Sequence, residues 1–416
     1  QTCALPISDE AGRRISSRHL EAPVPSVATV PGGEGLDLWV LAGQSNMVGA
    51  GAMREPSPVS DRIRLFNLDN TWIEGREPLH RLFEAEAPVF RELFLTKNVG
   101  VTEEQFESLR VQSKQTPLGT VGPGLFFARQ LVKHTDQKIG LLPSAYGATS
   151  LADWDPARKD EGGDSLYWAM IERIALAGGN LKGVLWYQGE SDAMLGAAGY
   201  DQRFLHFVEC VRRDTGRPNL PFLYVQIGRY ALDYSPQAKE WELLRELQRR
   251  AASSVPNLYM VSAIDLPLGD SIHLSYEGQE RLGKRLAEVA LTNVYGVKDH
   301  GSPIDLKSTE VLEPVGAMGR IRVTFSGVSG GLHSAGPVSG FKLLNQAPDL
   351  GGPAIFRADL DPEAPDSVIL WHYPCLTQPA SLYYGPGLDP YCNLVDEKDM
   401  AVPAFGPVEL APAATT

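Results

Sequence analysis

Short, continuous apolar segments alternate with helical patterns between about residues 35 and 297. Five of these segments end at a glycine or a polar cluster: LDLWVLAG at 36–43, KIGLLPSAYG at 138–147, LKGVLWYQG at 181–189, LPFLYVQIG at 220–228 and NLYMVSAIDL at 257–266. Their hydrophobicity does not alternate, so both faces of each strand must be covered, as in a parallel sheet between layers of helices. The pattern predicts an α/β fold with about five parallel strands.

Apolar stripes at helical spacing fill the gaps between these segments. They predict helices around 125–132, 200–211, 241–251 and 282–290, with Ser275 as the N-cap of the last one. Residues 55–120 interrupt this rhythm, and we expect an elaborated loop there, beside the carboxyl end of the first strand.

The pattern of apolar and polar residues changes after Gly296. A linker-like segment at 299–303 is followed by runs with period two, such as IRVTF at 321–325, and by regularly spaced Gly and Pro. These features predict a small antiparallel β-sandwich. The expected organisation is therefore an N-terminal arm at 1–34, an α/β domain at 35–297 and a β-domain at 298–416.

Composition narrows the possible partners. The chain has 416 residues and a formal net charge of −13, which disfavours binding to nucleic acid. No apolar run approaches the roughly 18 residues that span a bilayer, and the first residues do not form an intact signal peptide. Of the four cysteines, Cys210 should be buried in a helix, while Cys375 and Cys392 could form a disulfide in an oxidising compartment.

Residues suited to nucleophilic catalysis follow the predicted strands. Ser45 comes just after the first strand, and Asp270 precedes His273 by three positions after the last strand. An aspartate can orient a histidine so that its second nitrogen faces outward as a base, which activates a serine hydroxyl. Ligands of open parallel sheets bind at the carboxyl ends of strands, so the sequence predicts that these residues meet there. Taken alone, this short block fits an N-cap serine better than a nucleophile.

Other catalytic signatures are missing from the sequence. There is no G-x-S-x-G elbow, no Walker A motif and no complete G-x-G-x-x-G. The eight histidines are scattered, without H-E-x-x-H or pairing with cysteine. We therefore expect neither a metal nor an organic cofactor.

Three blocks, read together, resemble the SGNH (GDSL-like) hydrolases. The blocks are GQSNM at 43–47, WYQGESD at 186–192 and DSIH at 270–273. They are most similar to the branch of sialate O-acetylesterases and acetylxylan esterases, which resembles carbohydrate esterase family 6. The tail from Gly330 to Leu394 is similar to the β-domain of the same branch. A literal GDSL at 163–166 lacks a preceding strand and is interpreted as a decoy.

The resemblance implies a flavodoxin-like three-layer α/β/α fold and assigns roles to individual residues. It implies Ser45 as nucleophile, His273 as general base and Asp270 as the partner that orients His273. The implied oxyanion hole combines the backbone N–H groups of Ser45 and Gly147 with the side chain of Gln188. The family usually has two glycines where this chain has Gly147 and Ala148, and the added methyl group would favour acetyl over longer acyl groups.

The expected activity is hydrolysis of acetyl esters on a sugar or polysaccharide of the xylan, xyloglucan, pectin or sialic acid type. We expect five residues to contact the substrate or shape its rim: Gln44, Tyr146, Trp186, Tyr187 and Glu190. Glu190 could instead hold the first block in place, because a carboxylate aimed at an oxyanion would oppose catalysis. A glycan-binding protein without turnover and a short-chain esterase or thioesterase stay open as alternatives. A secreted or periplasmic location fits such a substrate, and the oligomeric state is left open.

Overall fold

A computed structural model of the chain describes residues 32–54, 59–116, 119–158, 164–232, 236–345 and 353–412. Most of the predicted N-terminal arm therefore lies outside the described residues. The main sheet has seven strands in the order β3-β2-β4-β1-β5-β6-β7. The strands are β1 (Asp37–Gly43), β2 (Ile63–Phe66), β3 (Trp72–Glu74), β4 (Ile139–Pro143), β5 (Asn180–Tyr187), β6 (Phe222–Gln226) and β7 (Leu258–Ser262).

The five predicted strands are confirmed as β1, β4, β5, β6 and β7, and all their pairings are parallel. All seven residues of β1 are buried, so both faces of the sheet centre are covered, as continuous hydrophobicity requires. Strand β2 extends the sheet in parallel beside β4, and β3 adds an antiparallel edge. The interpretation of 55–120 as a loop missed these two strands, because strands of four and three residues give almost no periodic signal.

Helices surround this sheet. In chain order they are α1 (Ser45–Val48), α2 (Pro88–Lys97), α3 (Glu103–Gln115), α4 (Gly124–His134), α5 (Leu166–Ala177), α6 (Glu190–Leu195), α7 (Tyr200–Asp214), α8 (Ala238–Ala251) and α9 (Tyr276–Asn293). The predicted helices are confirmed as α4, α7, α8 and α9. The hydroxyl of Ser275 accepts a hydrogen bond from the backbone N–H of Gly278, so Ser275 is the N-cap of α9 as expected.

The inserted region between β3 and α4 packs three helices together around buried phenylalanines. Helices α2 and α3 and a short 3-10 helix (Leu82–Glu84) pack through three phenylalanines. The ring centroids of Phe83 and Phe94 are 5.1 Å apart, and those of Phe94 and Phe106 are 5.5 Å apart. Aromatic contacts of this kind stabilise a folded subregion rather than an open loop.

Beyond α9, the helices and strands of the described residues are all β-strands. A four-stranded antiparallel sheet joins β8 (Asp305–Val315), β9 (Met318–Ser326), β12 (Ala354–Leu360) and β13 (Ser367–Tyr373). A three-stranded sheet joins β11 (Phe341–Asn345), β14 (Ala380–Tyr384) and β16 (Phe405–Leu410), and β10 (Leu332–Ser334) pairs with β15 (Leu394–Asp396). These sheets form the C-terminal β-domain.

The cysteine expectations divide. Cys210 is buried in α7, as predicted. The possible disulfide between Cys375 and Cys392 is not formed, because both thiols are free. Cys392 is buried close to the ring of Tyr384, whereas Cys375 lies just beyond β13 and is partly exposed. Across the described ranges, no helix is long and apolar enough to cross a bilayer.

Candidate active site

The GQSNM block approaches the WYQGESD block at the carboxyl edge of the sheet. Gly43 ends β1 at a φ of 123°, and a Cβ placed on it would lie 2.2 Å from the carbonyl oxygen of Tyr187 at the end of β5. Only glycine permits this approach and this backbone angle. The N–H of Gln44 then donates to that same carbonyl at 2.8 Å, which sets Ser45 at the start of α1 above the sheet.

A continuous hydrogen-bonded relay joins the three predicted catalytic residues. The distance from Ser45 Oγ to His273 Nε2 is 3.0 Å, and that from His273 Nδ1 to Asp270 Oδ2 is 2.7 Å. The other carboxylate oxygen of Asp270 accepts the backbone N–H groups of Ile272 and His273. Partial burial raises the pKa of Asp270, but the hydrogen bonds from His273 and the backbone outweigh this effect and lower the pKa to about 2.

Asn46 holds the loop that carries His273. Its side-chain nitrogen donates to the carboxylate of Glu190 at 2.8 Å and to the carbonyl of Ile272 at 3.3 Å. Its side-chain oxygen accepts the N–H of Leu274 at 3.0 Å. Both backbone neighbours of His273 are thereby fixed to the residue that follows Ser45. The sequence interpretation gave Asn46 no role, although its place next to the serine in the first block is a usable signal.

The turn at Gly147 and Ala148 lies beside the predicted nucleophile. A Cβ placed on Gly147 would be 3.8 Å from Ser45 Cβ. Within the described part of the chain, the backbone N–H groups of Ser45 and Gly147 have no acceptor in the protein. Ala148 adopts a φ of 54°, a left-handed angle that favours glycine. The ammonium group of Lys97, at the end of α2, donates to the carbonyl of Ala148 at 2.7 Å, a contact that the sequence gave no sign of.

The side chain of Gln188 points away from the predicted oxyanion hole. It is fully buried, and its amide nitrogen lies 2.7 Å from Asp192 Oδ2 and 3.0 Å from the carbonyl of Thr149. An amide nitrogen has only two N–H groups, so both already have acceptors within the protein. The geometry therefore contradicts the predicted donation by Gln188, whose side chain instead ties the WYQGESD block to the turn at 146–149.

Trp186 and Tyr187 are likewise misassigned as substrate contacts. Both are fully buried, and Trp186 packs against Phe207 with ring centroids 4.6 Å apart. They are strand residues whose side chains fill the space between sheet and helices. The sequence placed them at the rim because polar residues follow them directly.

The other three predicted contacts are also largely buried. The carbonyl oxygen of the Gln44 side chain accepts hydrogen bonds from the backbone N–H groups of Gly189 and Ser191, both at 3.3 Å. Tyr146 is 4% exposed and lies near Phe90. Glu190 is 3% exposed and accepts from Asn46, and burial raises the pKa of its carboxyl group. The structure thus places Glu190 where the alternative interpretation expected it, holding the first block.

The GDSL segment lies away from this site. Its Gly163 is outside the described residues, and the hydroxyl of Ser165 accepts the N–H of Trp168 as the N-cap of α5. Ser165 is 1% exposed, so its hydroxyl is not available to a substrate. In the described ranges, no three His, Cys, Asp or Glu side chains are arranged to hold a metal ion.

Several known proteins are similar to this chain. A probable carbohydrate esterase of Arabidopsis thaliana is 32% identical over 281 residues, which cover 62% of this chain and 90% of that protein. The crystal structure of a carbohydrate acetylesterase from Xanthomonas citri superposes with a TM-score of 0.61 at 22% identity, covering 89% of this chain and 80% of that one. An Arabidopsis thaliana crystal structure is 28% identical, with a TM-score of 0.48, and covers 64% of this chain and all of that one.

The family assignment rests on the catalytic region. The family model described as "Carbohydrate esterase, sialic acid-specific acetylesterase" matches residues 35–292, which are more than half of the chain. The matched range begins two residues before β1 and ends within α9, so it contains Ser45, Asp270 and His273. The protein belongs to this family of carbohydrate esterases.

Proposed function

We propose that the protein is a serine carbohydrate acetylesterase that removes O-acetyl groups from a sugar through an acetyl-serine intermediate. The observation that carries this proposal is the relay of 3.0 Å from Ser45 to His273 and 2.7 Å from His273 to Asp270. Both distances lie within the range for proton transfer along hydrogen bonds.

In the first half-reaction, Ser45 Oγ attacks the acetyl carbonyl carbon while His273 Nε2 takes the hydroxyl proton. The tetrahedral oxyanion is stabilised by the backbone N–H groups of Ser45 and Gly147. The C–O bond to the sugar then breaks, and the imidazolium returns its proton to the leaving sugar oxygen. Asp270, with a pKa of about 2, stays ionised throughout and stabilises the imidazolium.

In the second half-reaction, water replaces the sugar. His273 removes a proton from this water as its oxygen attacks the acetyl-serine carbonyl, and a second oxyanion occupies the same site. Collapse of that intermediate breaks the bond to Ser45 Oγ, reprotonates the serine and releases acetate. All of these proton transfers use groups that the relay already contains.

The decisive experiment compares Ser45→Ala with Ser165→Ala on p-nitrophenyl acetate. We expect kcat to fall by about 10³-fold or more in Ser45→Ala and to change little in Ser165→Ala, which removes only a helix cap. Mass spectrometry of quenched wild-type enzyme should show one added acetyl group on Ser45. Full activity in Ser45→Ala would reject the proposal. A wild type that binds acetylated glycan without releasing acetate would support the binding-protein alternative.

We also propose that Ala148 restricts the acyl group to acetyl. Its methyl group lies in the turn beside Gly147, where a longer acyl chain would have to pass. Wild type should therefore prefer p-nitrophenyl acetate to the octanoate, and Ala148→Gly should narrow that preference severalfold. A wild type that prefers octanoate would favour the thioesterase or lipase-like alternative.

For the natural substrate, we propose a class of glycan rather than one compound. The class includes acetylated xylan, xyloglucan, pectin and sialic acid, since each carries an acetyl ester that Ser45 could attack. The rate of acetate release from a panel of these substrates will rank them. Such substrates occur outside the cytoplasm, so we propose a secreted or periplasmic location, which cell fractionation tests.

A further inference from the structure

The loop carrying Asp270 and His273 lies at the surface of the molecule. Gly269, Asp270 and Ser271 are exposed, and 46% of the Asp270 side chain is open to solvent. Asn46 fixes the end of this loop that continues into α9. A loop that must hold a relay to within a few tenths of an ångström needs a second anchor near Asp270.

The second anchor comes from the segment after β6. The backbone N–H of Ala231 donates to the carbonyl of Ser271 at 2.7 Å, between the two relay residues. The neighbouring N–H, that of Tyr230, donates to the carbonyl of Leu388 at 2.8 Å. Leu388 belongs to the C-terminal β-domain. Two consecutive backbone groups therefore link the relay loop on one side to the β-domain on the other.

A buried arginine fixes this link. Arg245 in α8 is 1% exposed, and its guanidinium donates to the carbonyl of Gly228, just before the Tyr230 segment, at 2.6 Å. The same group donates to the carbonyls of Gly387 at 2.6 Å and Leu388 at 3.2 Å. Burial lowers the pKa of Arg245 to about 10, so the group is charged at neutral pH and its hydrogen bonds are charge-assisted.

Two further contacts hold residues 385–389 of the β-domain against the catalytic domain. A carboxylate oxygen of Glu242 accepts the N–H of Gly387 at 2.6 Å, and Arg229 pairs with Asp389 at 2.6 Å. We refer to residues 385–389 as the bracing segment. It is bound to the catalytic domain through the backbone of Gly387 and Leu388 and through the side chain of Asp389.

We propose that the C-terminal β-domain positions the acid–base half of the relay, acting through the bracing segment, Tyr230 and Ala231 on Ser271. This rests on the proposed function, because it assumes that Asp270 and His273 act as a catalytic pair. Ala231 and Arg245 are positioning residues, since neither touches the reacting atoms. The β-domain would therefore be needed even for small soluble esters.

Ala231→Pro is the direct test, because it deletes the N–H donated to Ser271. The N–H of Leu232 donates to the carbonyl of Tyr230 at 2.8 Å, which closes a three-residue turn centred on Ala231. Ala231 is not among the residues with positive φ, so this is the inverse form of the turn, with a φ near −75° that proline also adopts. The matched control is Ala231→Gly, which keeps the N–H.

We expect Ala231→Pro to lower kcat on p-nitrophenyl acetate by about tenfold relative to Ala231→Gly, with KM and Tm little changed. The NMR signal of the His273 Nδ1 proton should shift or broaden, because its distance to Asp270 is no longer fixed.

A second pair of variants leaves the loop sequence intact. Asp389→Ala breaks the ion pair of the bracing segment and should lower kcat severalfold, whereas Glu363→Ala, at an exposed site of the same domain, should not.

The proposal and the proposed function fail in different ways. Equal kcat and equal Nδ1 spectra in Ala231→Pro and Ala231→Gly would overturn the positioning role, even if Ser45→Ala is inactive. Full activity in Ser45→Ala would overturn the proposed function, and the Nδ1 spectrum would still report whether the relay loop depends on Ala231.

Discussion

The side chain of Asn46 makes three hydrogen bonds that join three separate parts of the chain. Glu190 follows β5, Ile272 and Leu274 flank His273, and Asn46 itself follows the nucleophile. Each bond is buried or partly buried, where an unsatisfied partner costs about 1–3 kcal/mol. A residue that never meets the substrate can therefore set the distance between serine and histidine.

Asn46→Ala should lower kcat/KM on p-nitrophenyl acetate by about 10²-fold, because it releases both backbone neighbours of His273. It should also lower the free energy of unfolding by about 2 kcal/mol, as the groups that bonded Asn46 lose their partner. Glu190→Gln is the matched control, since its amide oxygen can still accept from Asn46, and it should stay within severalfold of wild type. Steady-state kinetics and urea denaturation measure both effects, and equal losses in the two variants would contradict this role.

At the scale of elements, the sequence analysis predicted five strands and four helices and missed strands β2 and β3 and helices α2, α3 and α5. The five buried strands were predicted from continuous apolar runs. The four helices were predicted from apolar stripes at helical spacing. Strands β2 and β3 are too short to give either pattern, and the contact of Lys97 with the turn at Ala148 joins residues 51 positions apart. The predicted roles of Gln188, Trp186 and Tyr187 were wrong for another reason. The hydrophobic pattern of a strand does not show which side chains at its end turn inward.

The inserted region between β3 and α4 contains a carboxyl group that should make stability depend on pH. One carboxylate oxygen of Glu77 is buried without a hydrogen-bond partner in the described structure. Burial raises its pKa from 4.5 to about 8, although the N–H of Leu79 and the charges of Arg129 and Arg81 oppose the rise. The folded state therefore keeps this proton at pH values where the unfolded chain has lost it.

This contribution to stability is complete below pH 4.5 and is lost as the pH rises to about 8. Glu77→Gln removes the titration, so the free energy of unfolding of the variant relative to wild type should increase from about pH 5 to pH 8 and then level off. Denaturation in urea at several pH values measures this difference, with Glu104→Gln at an exposed position of α3 as the control. A constant difference across that range would contradict the raised pKa.

At the scale of the whole molecule, buried polar contacts join the α/β and β-domains. The side chain of Gln226, at the end of β6, both donates to and accepts from the backbone of Ala404 at 2.8 Å. Arg285 in α9 is 1% exposed and pairs with Asp265 at 2.7 Å and with Asp399 of the β-domain at 3.2 Å. Separating the domains would break the contacts of Gln226 with Ala404 and of Arg285 with Asp399, although Arg285 would keep its pair with Asp265. The α/β domain and the β-domain predicted from the sequence therefore share a buried polar interface.

The protein should consequently unfold in one cooperative transition. Differential scanning calorimetry should give a single peak with equal calorimetric and van't Hoff enthalpies. Asp399→Asn probes the interface directly, because asparagine also tolerates the φ of 60° at this position and loses only the charge that faces Arg281 and Arg285. We expect about 1–3 kcal/mol of lost stability and a Tm lowered by a few degrees, still in one peak. Two separate peaks in the wild type would mean that the β-domain unfolds on its own, and that its contacts contribute little to the stability of the catalytic domain.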